Sequence, residues 1–224
     1  ARSESLLAGL VAGNGITFGG SLIRKSLYEK FGKYDEAYLR AQDNEFWSRI
    51  AQVAKFRKLD RVVYRYRKHG ENVSFGNFID HSYESMTIRR ILKRHSLQEI
   101  YPQMNWRNAE KAKEESLFLI AKGLLNFQDY YNASLILLSG KDLPSSKAGL
   151  RLLFHCYLSI GDLRKAKMTL KALRNRFRGE EKAEAFMEKQ IQEWERLFSL
   201  FSATADSGDT SNLETTLKRF LGSF

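Results

Sequence analysis

Cys156-Tyr157-Leu158-Ser159-Ile160-Gly161-Asp162-Leu163-Arg164-Lys165-Ala166 decides the architecture of the C-terminal part of this chain. Helical apolar spacing runs up to Ile160 and resumes after Asp162. Gly161 allows a tight bend, and the small Ala166 lets two helices approach closely. A shift of 33 residues overlays the region on itself: Leu119 on Leu152, Leu124 on Tyr157, Phe127 on Ile160, Asp129 on Asp162, Ala133 on Ala166 and Leu137 on Leu170. A further shift puts Trp194 on Gly161 and Ser199 on Ala166, and the match ends. Solenoids need at least about three repeats for a continuous core. The two copies are therefore expected to pack on neighbouring helices or on the first region.

That turn resembles the turn of a tetratricopeptide repeat, which implies two hairpins over about residues 116–177 and a tail able to bind a protein partner. Antiparallel helix packing without a binding role would produce the same spacing. Helices are expected near 78–95, 106–127, 130–139, 146–160, 163–177, 180–203 and 211–221.

Upstream of Gly76-Asn77 the pattern differs. Ser5 to Ala12 reads as a short apolar helix, broken at Gly13-Asn14-Gly15. From Ile16 to Ile23 the residues alternate as in a strand, with Gly19 on the face where a ligand or another backbone could approach. Arg24 to Phe31 reads as a helix closed by Gly32. Phe46, Trp47, Ile50, Val53 and Ala54 fall at helical spacing, with Asp43 as the favoured N-cap type. Two short strands are expected next. In the second, Arg61 to Arg67, Val62, Tyr64 and Tyr66 share one face, while Val63, Arg65 and Arg67 share the other and His69 would join them.

The order of these pieces resembles the last part of the GT-A fold in family 2 glycosyltransferases. The resemblance is carried by Leu6-Leu7, Gly19-Gly20-Ser21-Leu22-Ile23-Arg24-Lys25, Phe31-Gly32-Lys33-Tyr34-Asp35-Glu36, Gln42-Asp43-Asn44-Glu45-Phe46-Trp47-Ser48-Arg49 and Tyr66-Arg67-Lys68-His69-Gly70-Glu71-Asn72-Val73-Ser74. It implies an α/β half-domain, the C-terminal half of a GT-A domain, over residues 1–76, followed by a helical region over 77–224. It also implies inverting sugar transfer from a nucleotide-sugar donor to a saccharide or lipid-linked acceptor, as in polysaccharide assembly.

In that family the second of two acids is the general base. Here Gln42 replaces the first, and Asp43 stands where the base would be. Gly19, Gly20, Gln42, Trp47, Arg49, Arg65 and Arg67 are the matching acceptor- or donor-side positions, although helical spacing makes Trp47 read first as core. His69 would lie near the donor diphosphate, sometimes as a ligand to Mg or Mn. A solvated basic edge would give the same Arg65, Arg67 and His69 pattern. The donor-binding half would precede Ala1, and no Asp-x-Asp occurs here, so the chain by itself is expected to lack transfer activity. His81, His95 and His155 stand alone and receive no chemistry.

The net charge is +11, of which residues 1–80 carry +5 and residues 81–224 carry +6. Read by halves the excess is spread out, and it suits phosphate-bearing ligands or an anionic membrane surface. A nucleic-acid partner is not expected, because zinc spacing, RNP-like aromatics and a recognition helix are all missing. The single cysteine, Cys156, excludes an internal disulfide and points to a reducing compartment. A cytoplasmic location is therefore expected, with peripheral contact at the inner membrane face as a further possibility.

Overall fold

The computed structural model describes residues 5–13, 16–69, 81–139, 142–179 and 181–207, with the backbone alone from 200 to 207. It is mostly helical, and among the described residues it contains no strand. The chain divides into two compact units, Ala1–Pro144 and Ser145–Phe224.

The first unit holds α1 (Leu6–Val11), α2 (Lys25–Phe31), α3 (Gln42–Ile50), α4 (Ser82–Arg94), α5 (Leu97–Ile100), α6 (Ala109–Asn126) and α7 (Tyr130–Leu137). Helix α1 is only six residues long, too short to persist alone in water. Its N-cap Ser5 accepts from the Ala8 amide at 3.1 Å and donates to the carbonyl of Ile100. Leu7, Leu10 and Val11 are buried, and α1 touches α3, α4, α5 and α6. The core around it contains Phe46, Trp47, Ile50, Ile88, Ile91, Ile100, Ile120 and Leu124.

The end of α1 is seated on the turn after α6. Asn126 donates to the Ala12 carbonyl at 3.3 Å, and the Phe127 ring lies over Gly13. A Cβ on Gly123 would stand 2.1 Å from the carbonyl oxygen of Val11, so glycine is required where these backbones meet. The division between compact units therefore falls well beyond Gly76-Asn77, because residues 6–50 complete their core with α4–α6.

All three strand expectations need correction. Residues Phe18–Gly20 form one 3₁₀ turn, and 55–69, which include the other two, run without regular structure. Alternation describes a residue pattern, whereas a strand also needs a neighbour to complete its hydrogen-bond ladder. Helix α3 begins at Gln42, with Ala41 as N-cap at φ +54°, so Asp43 lies inside the first turn instead of capping it. Val53 and Ala54 follow in a turn beyond the end of α3.

Four of the helices form two adjacent pairs. Helices α6 and α7 pair within the first unit; α8 (Lys147–Ser159) and α9 (Leu163–Arg176) pair within the second. The 33-residue offset recurs in their hydrogen bonds. The Asp129 amide donates to the carbonyl of Leu124 at 3.0 Å, and the Asp162 amide donates to that of Tyr157 at 2.9 Å. Each carboxylate caps the following helix, through Asn132 at 3.2 Å and Lys165 at 3.0 Å. Ala133 and Ala166 are both fully buried. The second unit is closed by α10 (Glu181–Ser207), which packs on α9 through Lys167–Glu195 and Arg174–Glu188 ion pairs. The helix expected over 211–221, the start of the one expected from residue 78, and Gly70 to Ser74 of the family resemblance lie outside the described residues.

Candidate acceptor-side site around Asp43

Helix α3 is held in place through Glu45, which is 1% exposed. A carboxylate this deep must be paired and hydrogen-bonded. Arg49 Nε donates to its Oε2 at 2.9 Å, and Arg94 and Arg90 approach Oε1 at 3.2 and 3.4 Å from α4. Arg90 also binds Asp35 at 2.6 Å. This Arg90 contact, with help from the Ala37 amide, holds the Asp35 carboxyl below the usual range.

Arg49 reaches further. Its guanidinium donates to the carbonyls of Phe31, Gly32 (3.3 Å) and Lys33 (2.6 Å), which satisfies the C-terminal end of α2. Its donors are thus turned on the protein's own backbone, with the planar group over the Phe46 ring. Trp47 is 2% exposed and packs between Phe46 and Phe56, as core.

Asp43 sits in a different setting on the same helix. It is half-buried, and burial raises its pKa above the usual aspartate value against the opposing pull of the Asn44 amide at 2.9 Å. Among the described residues it makes no ion pair, unlike Asp35 and Glu45. Tyr34 and Tyr28 share a hydroxyl–hydroxyl hydrogen bond of 3.1 Å nearby. Burial first, then Tyr28, then the Asp43 charge raises the Tyr34 phenol. Phe18 packs edge-on against Tyr34, and Tyr28 stacks on Phe46. Gln42 is half-buried beside it in the first turn of α3.

Gly19 and Gly20 admit a neighbour closely, as their composition implies, but the neighbour is protein. The Tyr64 ring lies where a Cβ on Gly19 would stand, and Val63 flanks Gly20. Arg65, Arg67 and His69 lie in the exposed stretch that follows. Arg65 and Arg67 make no ion pair with a described carboxylate, Asp43 included. Among the described residues no three His, Cys, Asp or Glu side chains converge as metal ligands. The described residues do not by themselves fit the divalent metal that the resemblance implies.

Sequence reasoning did not find Arg90 and Arg94 as partners of Glu45, nor the Tyr28–Tyr34 pair. Glu45 and Arg49 stand four residues apart, as do Arg90 and Arg94, which is the visible part of the signal. Comparison with family models, with curated proteins and with solved structures finds no match.

Proposed function

We propose that the region around α3 is the acceptor side of a family 2-like glycosyltransferase, with Asp43 as general base. One observation carries this reading: Asp43 is half-buried and not neutralised by a described cation, while its neighbours Asp35 and Glu45 are both consumed by arginines. A carboxylate with a raised pKa at the start of a braced helix is suited to accept a proton. In the proposed step Asp43 takes the acceptor hydroxyl proton as that oxygen attacks the anomeric carbon, and the nucleotide diphosphate departs. Arg49 and Trp47 act by positioning α3. Asp43→Asn, made in a protein that carries the donor-binding half as well, is expected to abolish transfer and leave donor binding nearly intact. Retained transfer would remove Asp43 from the mechanism.

A second reading is a non-catalytic interaction module built on the hairpins. It is supported by the matched caps at Asp129 and Asp162 and by exposed Met168 and Phe186 in the second unit. Because α6 completes the core around α1, residues 145–224 are the sounder bait for a pulldown than a longer tail. A specific partner recovered by that bait, and recovered equally by the whole chain carrying Asp43→Asn, favours this reading.

A further inference from the structure

The stretch Lys55-Phe56-Arg57-Lys58-Leu59-Asp60-Arg61-Val62-Val63-Tyr64-Arg65-Tyr66-Arg67-Lys68-His69 is exposed at every residue. It holds seven Lys or Arg against one acid, a net +6, which is more than half of the chain's +11. The rest of residues 1–80 is therefore slightly acidic, and the charge excess of the first unit is concentrated in one segment.

The cations of this stretch differ from the arginines that brace the helices. Arg40, Arg49, Arg90 and Arg94, on or beside the helices, all hold carboxylates. Lys55, Arg57, Lys58, Arg61, Arg65 and Arg67 form no ion pair with any described carboxylate. Interleaved with them are large apolar side chains turned to solvent: Leu59 at 51% exposure, Val62 at 85% and Val63 at 53%. Phe56, Tyr64 and Tyr66 are each more than two-fifths exposed. Solvated charge alone explains the cations but not the apolar residues among them.

We propose that residues 55–69 form an interfacial docking segment for an anionic phospholipid surface. Uncompensated Lys and Arg are drawn to anionic headgroups, and each is worth roughly a fivefold gain in partition near such a surface. Leu59 and Val62, with the exposed edges of the aromatic rings, then meet the headgroup boundary, where amphipathic aromatic residues are favoured. The apolar component favours a bilayer over a nucleic acid, which would use the charge and leave Leu59 and Val62 in water. The segment begins five residues after α3, so docking would place a membrane-borne acceptor close to the helix that carries Asp43. The docking itself is independent of the catalytic reading.

The test is co-sedimentation of the whole 224-residue chain with two kinds of vesicle, phosphatidylcholine alone and equal parts phosphatidylcholine and phosphatidylglycerol. Binding is expected only to the second, falling as salt rises. The triple variant Arg57→Glu, Lys58→Glu, Arg61→Glu is expected to weaken it at least about a hundredfold. Leu59→Ser with Val62→Ser is expected to weaken it about tenfold and to leave its salt dependence unchanged. All five positions are exposed, so far-UV circular dichroism should match the parent for both variants. Equal binding to both vesicles, no response to charge reversal, or no response to the serine pair overturns the proposal. So does binding to duplex DNA with none to either vesicle.

Discussion

At the scale of single residues, three carboxylates close together in sequence have three different fates. Glu45 is buried under arginines, Asp35 is held by Arg90 at the rim, and Asp43 is half-buried without a described cation. Removing Glu45 leaves Arg49, Arg90 and Arg94 with their charges facing a cavity. Since these side chains are 17–39% exposed, water can reach them, and Glu45→Ala should cost about 3 kcal/mol by urea denaturation, the low end for a broken buried pair. Asp43 has the opposite sign. Its folded pKa lies above its unfolded value, so the folded state loses stability as pH rises through that window, and the cost is fully present above the folded pKa. Asp43→Asn keeps an acceptor for the Asn44 amide and removes the charge. It should raise the melting temperature modestly at pH 7, with the gain vanishing below about pH 4, near the ordinary aspartate value. A lower melting temperature at pH 7 would contradict burial as the cause.

At the scale of elements, the two hairpin turns share hydrogen bonding but differ at the residue with positive φ. Gly161 sits at φ +76°, and Gln128 holds the equivalent place at φ +58°. A left-handed conformation costs a side-chain-bearing residue roughly 1 kcal/mol that glycine avoids. Gln128→Gly should therefore stabilise the first hairpin by about 0.5–1 kcal/mol, while Gly161→Ala should destabilise the second by a similar amount. A Cβ on Gly161 would stand 3.5 Å from Phe198, an ordinary contact, so backbone conformation sets that cost. The caps differ too. Asp162→Ala should lose about 1 kcal/mol, and Asp129→Ala nearer 2 kcal/mol, because Asp129 also receives the hydroxyl of Ser85 and the side chain of Asn132. Chemical denaturation of each variant measures both comparisons. The helices were legible in the sequence because periodicity and turn chemistry are local. The expected strands failed for the complementary reason: alternation over 61–67 records nothing about whether a partner is there to pair with.

At the scale of the whole molecule, the units are defined by which helices share a core. The approach of Gly123 to the Val11 carbonyl joins the N-terminal helices to α6. Gly123→Ala cannot be relieved by moving a flexible side chain, since the obstacle is backbone. It should destabilise the Ala1–Pro144 unit by about 3 kcal/mol and leave the melting of Ser145–Phe224 unchanged, as followed by hydrogen exchange resolved along the chain. No described helix is long and apolar enough to cross a membrane.

The sequence by itself determined what depends on near neighbours: the helical tail, the 33-residue repeat, the break at Gly161, and Asp43 at the start of a helix whose apolar face carries Phe46 and Trp47. Tertiary structure alone decided what depends on distant partners. Arg90 and Arg94 come to Glu45 from more than 40 positions away, Tyr64 fills the space over Gly19, and α1 finds its core beyond residue 76. Spacing along a chain encodes which face a residue takes on its own element. Which face meets it is set only when apolar burial and charge pairing are satisfied together across the fold.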